Sequence, residues 1–93
     1  MVTIACVPAY NEENKLPTLI KEILQYVDRV IVCDDGSTDK TSEVAEKAGA
    51  DVIVHGHNMG KGAAMKSLFN YAKKTDFDIL VTIDGDYDGP SGR

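Results

Sequence analysis

The sequence lacks several features that mark particular classes of protein. It contains no tryptophan, and no apolar run approaches the roughly 20 residues that a membrane-spanning helix needs. The N-terminus has no succession of basic, apolar and small residues of the kind that forms a signal peptide. Basic residues are outnumbered 15 to 10 by acidic ones, and the net charge of -5 argues against a nucleic-acid partner. We therefore expect an ordinary globular domain of the cytoplasm, or of the cytoplasmic face of a membrane in a full-length context.

Cysteine is also scarce, with Cys6 and Cys33 as its two occurrences. Both lie in apolar runs that are typical of buried strands. Two cysteines in such positions of a cytoplasmic protein favour reduced core residues, and a disulfide between them is the alternative.

What the sequence does contain is a regular alternation of two apolar patterns. A chain of 93 residues predicts a single domain over residues 1–93. Short apolar runs predict strands at 2–7, 29–33, 51–55 and 77–83. Apolar residues at helical spacing predict helices at 16–27, from a cap at Ser37 or Asp39 up to Gly49, and at 60–74.

This βαβαβαβ order predicts an α/β fold in three layers. Parallel strands joined by helical connections form a mainly parallel four-stranded sheet with helices on both faces. The right-handed crossover rule leaves few topologies, and we favour the strand order 3-2-1-4. Four loops then lie at one edge of the sheet, where ligands of open α/β sheets bind.

The loop after the first strand carries side chains suited to a nucleoside. Pro8 fixes the exit of the chain from the strand, and Tyr10 offers a flat face for a nucleobase. Asn11 and Glu12 can hydrogen-bond a base or a sugar, or cap the next helix. A plain strand-to-helix turn explains these residues equally well.

The loop after the second strand begins with two adjacent carboxylates, Asp34 and Asp35. Such a pair is unfavourable unless one member is solvated or hydrogen-bonded, and a carboxylate there can accept an N–H group of a base. Gly36 allows a sharp turn, and the residues after it are typical of a helix start. A helix-initiating turn explains those later residues but not the pair of carboxylates.

The loop at residues 58–62 combines glycines with Lys61 just before a predicted helix. Glycine permits close approach of the backbone to a ligand, and a helix N-terminus favours anions. The loop is not a Walker A motif, because its glycine spacing is one residue too short and Gly62 stands where a serine or threonine must hold magnesium. His55 and His57, which precede this loop, have no metal-ligand spacing to other residues and are predicted to lie on the surface.

The fourth strand leads into three carboxylates, Asp84, Asp86 and Asp88, with Gly85 between the first two. Like charges at this spacing repel each other unless a cation joins them, which predicts a site for Mg²⁺ or Mn²⁺. The run also matches the opening of an EF-hand loop and the DxD of phosphohydrolases. An EF-hand is disfavoured, because a strand and not a helix precedes the run and the glutamate of the twelfth loop position is missing. A phosphohydrolase motif is disfavoured, because Tyr87 occupies the fourth position of its pattern. A solvated acidic segment without a ligand is the remaining alternative.

Taken in order, the motifs VPAYNEE, VCDDGSTD, NMGKGAA and a strand ending in DGD resemble family 2 glycosyltransferases of the GT-A fold. The dolichyl- or polyprenyl-phosphate mannosyl- and glucosyltransferases look most similar. The resemblance runs from the first strand to the DxD, so it implies the nucleotide-sugar-binding half of that fold. The implied reaction is metal-dependent transfer with inversion, from a GDP- or UDP-sugar to a polyprenyl-phosphate or saccharide acceptor.

The resemblance also implies a role for each matching residue. The nucleotide would be bound by Pro8, Tyr10, Glu12, Asp35, Lys61, Asp84 and Gly85, with Asp34 supporting the turn. Mg²⁺ or Mn²⁺ would be held by Asp84 and Asp86, and Asp88 is a further possible ligand where the family often has glutamine. The acceptor site and any catalytic base would belong to the other half of the fold, so no catalytic residue is identified here.

The sequence leaves two other functions open. The chain could be a non-catalytic nucleotide- and metal-binding remnant that self-associates through its exposed fourth strand, since an unpaired strand edge is a ready interface. A metal-dependent phosphohydrolase that uses Asp84 is the weaker alternative.

Overall fold

The computed structural model describes residues 1–83. Its elements alternate strictly between strand and helix along the chain. In chain order they are β1 (Thr3–Ala9), α1 (Leu16–Ile23), β2 (Arg29–Asp34), α2 (Thr41–Lys47), β3 (Asp51–Val54), α3 (Lys61–Ala72) and β4 (Ile79–Thr82).

The four strands form one parallel sheet with the order β3-β2-β1-β4. This order confirms the topology predicted from the sequence. β1 lies in the middle, between β2 and β4, because its run of apolar residues is buried on both faces. The chain reverses its direction of winding at β1, so the switch point lies between β1 and β4 as predicted.

The helices cover the sheet on both faces and complete three layers. α1 and α2 pack on the side chains of Ala5, Val7, Val30 and Val32, whereas α3 packs on the opposite face through Leu68. The alternation of side chains along a strand produces this division, since neighbouring residues point to opposite faces. Cys6 and Cys33 lie on the α3 face, and both are buried free thiols, as predicted.

Most of the predicted element ends differ from the observed ones by one to four residues, and two of these differences bear on the packing. β1 continues past Val7 to Ala9, with Pro8 inside the strand. The polar backbone groups of Cys6, and therefore of Pro8 two residues on, face the β4 side of β1. Because β4 ends at Thr82, opposite Cys6, no residue of β4 lies opposite Pro8, and the lack of an N–H on Pro8 costs no ladder bond there. α1 ends at Ile23 instead of residue 27, and a turn after it returns the apolar side chain of Val27 to the core.

The start of α2 also differs from the prediction. The residue before the helix is Lys40, and it makes no side-chain cap. Asp39 acts from one position earlier: its Oδ1 accepts the N–H of Thr41 at 2.9 Å and also the Thr41 hydroxyl. Burial raises the pKa of the Asp39 carboxyl, but these bonds and the N–H of Glu13 outweigh that effect, so the pKa lies below its ordinary value. The capping function therefore belongs to Asp39 and not to Ser37.

β4 is the least covered strand of the sheet. Among the described residues it pairs with β1 alone, and Ile79 and Val81 are 43% and 36% exposed. Their register with Thr3 and Ala5 places both side chains on the α1 face of the sheet. Within residues 1–83 no helix is long and apolar enough to cross a membrane.

Candidate functional site

A cleft of about 220 Å³ opens at the carboxyl end of the sheet, beyond β1 and β2. The loops after these strands and the N-terminus of α3 form its walls. Its lining consists of Pro8, Ala9, Tyr10, Asp35, Asn58, Gly60, Lys61 and Ala64. The cleft lies at the predicted edge because all parallel strands end there.

Asp35 lies at the floor of this cleft and is 5% exposed. Its Oδ1 accepts the N–H of Met59 at 2.9 Å and lies 2.8 Å from Nδ1 of His55, and its Oδ2 accepts the N–H of Gly60 at 2.8 Å. Burial raises the pKa of the Asp35 carboxyl, but the bonds from His55 and the two backbone N–H groups outweigh it. The pKa is therefore lowered, and Asp35 is a carboxylate at neutral pH. Among the described residues Oδ2 receives a single donor, Gly60, which leaves one of its acceptor positions for a ligand.

Asp34 has a different task from its neighbour. Its Oδ1 accepts the N–H of Ser37 at 2.9 Å, and its carbonyl accepts the N–H of His55 at 2.9 Å. The side chain thus closes the turn after β2, and the main chain joins β2 to β3. This arrangement agrees with the supporting role expected of Asp34.

Asn11 connects the loop after β1 to the loop after β2 by hydrogen bonds. It adopts a left-handed conformation with φ 51°, and its N–H donates to Oγ of Ser37 at 2.8 Å. In return its Oδ1 accepts the N–H of Thr38 at 2.8 Å. Glu12 adds a bond from its N–H to Oγ1 of the buried Thr41 at 2.9 Å. The side chain of Asn11 therefore joins two loops in this structure, instead of facing a ligand as the sequence allowed.

Gly36 allows the segment at residues 57–62, which we call the third loop, to lie close to the loop after β2. Its φ is +75°, and a Cβ there would lie 2.3 Å from the carbonyl carbon of His57 and 2.5 Å from the nitrogen of Asn58. Both atoms are backbone atoms, so neither can rotate away. The close approach brings the N–H groups of Met59 and Gly60 to Asp35, and the protein's own carboxylate thereby occupies an anion position just before α3.

The structure brings together most of the predicted nucleotide-binding residues that it describes. Pro8, Tyr10, Asp35 and Lys61 line the cleft, and Tyr10 is 40% exposed, whereas Glu12 is not among the lining residues. The remaining predicted site residues lie outside the described residues; they are Asp84, Gly85, Asp86 and Asp88. Residues 1–83 contain no group of three or more metal-binding side chains, so the metal site remains a prediction.

The prediction for His55 is wrong, because its side chain is only 9% exposed. The ring reaches Asp35 with Nδ1, and its Nε2 lies 2.8 Å from Oγ of Ser67 and 3.5 Å from Sγ of Cys33. No local sequence pattern predicts the burial of His55, because its side-chain partners lie 12 to 22 residues away in the chain. His57 is exposed, as predicted.

Comparisons with known proteins agree on one family. The model of glycosyl transferase family 2 matches residues 4–87. The dolichyl-phosphate beta-glucosyltransferase of Homo sapiens is 42% identical over 78 residues, which cover 64% of this chain and 24% of that enzyme. The chain spans between about a quarter and a third of the length of the curated relatives that it matches.

Solved structures give the same result. The glucosyl-3-phosphoglycerate synthase of Mycobacterium tuberculosis, in complex with Mg²⁺ and uridine diphosphate, matches with a TM-score of 0.73 and 33% identity over 91% of this chain and 33% of that chain. The mannosyl-3-phosphoglycerate synthase of Rubrobacter xylanophilus matches with a TM-score of 0.76 and 28% identity over 94% of this chain and 31% of that one. These likenesses confirm the GT-A type of fold that the motifs implied, and the chain belongs to glycosyl transferase family 2.

Proposed function

We propose that this chain binds the donor nucleotide sugar of an inverting, metal-dependent glycosyl transfer. The observation that supports this most directly is the carboxylate of Asp35, which is held charged in the cleft with one acceptor position that the donors of residues 1–83 leave open. Family membership and the uridine diphosphate bound to the mycobacterial relative agree with it. Residues 1–93 would supply the donor half of the domain, and the acceptor site would belong to the other half.

Uridine diphosphate fits this site better than guanosine diphosphate. Uracil presents a single N–H between two carbonyl groups, whereas guanine presents two neighbouring N–H donors. Oδ1 of Asp35 already accepts from Met59 and His55, so only Oδ2 can receive a donor from the base. Tyr10, half exposed beside Asp35, provides a face on which the base can stack.

The diphosphate and the metal would lie toward β4. Lys61 lines the same cleft and brings a positive charge. Three carboxylates at alternate positions suit Mg²⁺ or Mn²⁺, which prefer oxygen ligands, so Asp84, Asp86 and Asp88 would hold the ion, and Gly85 would allow close approach of the nucleotide. The ion offsets the negative charge that develops on the leaving nucleoside diphosphate.

The acceptor class follows from the relatives and not from the cleft. The human relative is named for transfer to dolichyl phosphate, so we propose a polyprenyl-phosphate or saccharide acceptor. Such a reaction would place the protein in the cytoplasm or at the cytoplasmic face of a membrane. Two free buried thiols agree with a reducing compartment.

Calorimetric titration with UDP and GDP, each with Mn²⁺ and then with EDTA, tests the proposal. We expect metal-dependent binding of UDP, loss of at least about tenfold in affinity for Asp35→Asn, and loss of the metal effect for Asp86→Ala. Asp76→Asn is the matched control, because this exposed carboxylate precedes β4, at the edge of the sheet opposite the cleft, and is not among the lining residues. Equal UDP binding by the Asp35 and Asp76 variants would refute the assignment of the cleft.

We also propose that the chain self-associates through β4. Ile79 and Val81 leave an apolar strip beside an edge without a neighbouring strand in the described residues. Sedimentation should show association of the wild type and of Thr82→Lys, whose position faces the α3 side, but a monomer for Val81→Lys. A wild-type monomer at the highest attainable concentration would contradict this proposal.

A further inference from the structure

His55 lies at the junction of three elements, directly after β3. Its main-chain N–H donates to the carbonyl of Asp34 at the end of β2. Its side chain, 9% exposed, extends to Asp35 on one side and to Ser67 of α3 on the other. The ring thus connects the cleft floor to the helix behind it.

The hydrogen-bond network assigns the protons of the ring. Asp35 is charged, so Nδ1 of His55 carries a hydrogen and donates it to Oδ1 at 2.8 Å. Burial, followed by the charges of Asp35 and Asp34, raises the pKa of the Cys33 thiol to about 12, so that thiol stays protonated. The hydroxyl of Ser67, 2.8 Å away, and the Cys33 thiol are therefore both available as donors to Nε2. Both ring nitrogens have partners, and the ring has one favoured orientation.

The carboxylate, imidazole and hydroxyl lie in the order of a hydrolase triad, but the surroundings do not suit that chemistry. Ser67 lies inside α3, where the backbone N–H groups are used in the helix. A nucleophile needs donors that face the developing oxyanion, and a helix interior offers none. The arrangement therefore suits the orientation of Asp35.

We propose that His55 is a positioning residue that determines base specificity by filling one acceptor position of the Asp35 carboxylate. Met59 takes the second position of Oδ1, and Gly60 takes one of the two on Oδ2. With these three donors from residues 1–83, one acceptor position remains on the carboxylate. A single position matches a base with one N–H, as in uracil, and disfavours a base with two, as in guanine. This inference rests on the proposed function for its ligand, whereas the geometry of the carboxylate is independent of it.

Two substitutions separate the two ends of the ring. In His55→Asn the amide nitrogen takes the place of Nδ1, so the bond to Asp35 is kept and the contact with Ser67 is lost. In His55→Gln the amide reaches the place of Nε2, so the contact with Ser67 is kept and Asp35 loses a donor. Ser67→Ala removes the far contact without altering the histidine.

The first measurement is the titration of the Asp35 carboxyl carbon by NMR. We expect a higher pKa of Asp35 in His55→Gln than in the wild type, with His55→Asn and Ser67→Ala close to the wild type. The second measurement is the ratio of the UDP and GDP affinities with Mn²⁺. We expect this ratio to fall about tenfold in His55→Gln and to change less than about twofold in the other two variants.

The two readouts distinguish failure of this inference from failure of the proposed function. A wild-type protein that binds neither nucleotide would refute the donor site, and the NMR titration would still judge the role of His55. An unchanged pKa of Asp35 in His55→Gln would overturn the positioning role. An unchanged UDP to GDP ratio in that variant, with UDP still bound, would overturn the specificity role.

Discussion

Replacement of Gly36 by alanine should lower the free energy of unfolding more than the addition of one methyl group suggests. The φ of +75° is unfavourable for any residue with a Cβ, at a cost of about 1–2 kcal/mol. The new Cβ would also lie 2.3 Å from the carbonyl carbon of His57, whereas ordinary contact begins at 3.4 Å. The third loop must therefore move away by roughly 1 Å.

That movement weakens the bonds that hold Asp35. The N–H groups of Met59 and Gly60 follow His57 closely in the chain and donate to a buried carboxylate at 2.9 and 2.8 Å. A hydrogen bond to a charged group contributes about 1.5–3 kcal/mol. Loss of one such bond together with the backbone strain gives an expected destabilisation of about 2.5–5 kcal/mol, a large part of the total stability of a domain of this size.

The free energy of unfolding is measured by urea titration with far-ultraviolet circular dichroism, which suits a chain without tryptophan. The expected loss corresponds to a fall in Tm of about 10 °C or more. Gly62→Ala is the matched control, because a Cβ there, in the first turn of α3, meets no atom of the other described residues within 4 Å outside its own helix. That variant should be as stable as the wild type or more stable, by up to about 1 kcal/mol. A Gly36→Ala protein within 1 kcal/mol of the Gly62→Ala protein, about one hydrogen bond, would refute this account of the loops.

Three further outcomes follow from the packing and the buried charges. Leu68 is fully buried on the α3 face, so Leu68→Ala should lower the free energy of unfolding by about 2–5 kcal/mol in a urea titration. Phe69 is 41% exposed, so the control Phe69→Ala should change the free energy of unfolding by less than about 1 kcal/mol. Equal losses in the two variants would contradict the assignment of the α3 face. The two buried thiols have raised pKa values, so a thiol reagent at pH 8 should react slowly with the native protein and fully in urea; rapid native reaction would contradict their burial. Asp35 and Asp39 have lowered pKa values in the folded state, so their stabilisation is present above the ordinary carboxyl pKa and is lost as the pH falls through the folded values. Stability should therefore decrease below about pH 5, less steeply in Asp39→Asn, and a pH-independent unfolding midpoint from pH 6 to 2 would contradict both assignments.

Local patterns in the sequence were sufficient to predict the order of strands and helices and the topology of the sheet. The strand-like run at β2 and the helical spacing in α3 each satisfy a periodicity that operates within a few residues. Once the order of elements is known, the crossover rule restricts the sheet to few arrangements, and β3-β2-β1-β4 is the observed one. The ends of elements were less predictable: Val27 keeps its helical spacing, yet it reaches the core through a turn after α1.

The edge at which the cleft lies was predicted in the same way, because its lining comes from strand ends and from the loops that follow them. Pro8, Tyr10, Asp35 and Lys61 come together since parallel strands deliver their loops to one edge. The supporting role of Asp34 was implied by the family resemblance, and the bond that its carboxylate accepts from the N–H of Ser37 agrees with it.

What the sequence determined by itself is therefore the order of strands and helices, the two apolar faces of the sheet and the edge at which the loops meet. The tertiary structure alone decided the partners of the polar side chains. Asn11 meets Ser37 across 26 residues, and His55 meets Asp35 across 20. Periodicity fixes which side of an element is buried, but a hydrogen bond depends on the positions of single atoms to within a fraction of an ångström. Such positions exist only after the sheet and the helices have packed together.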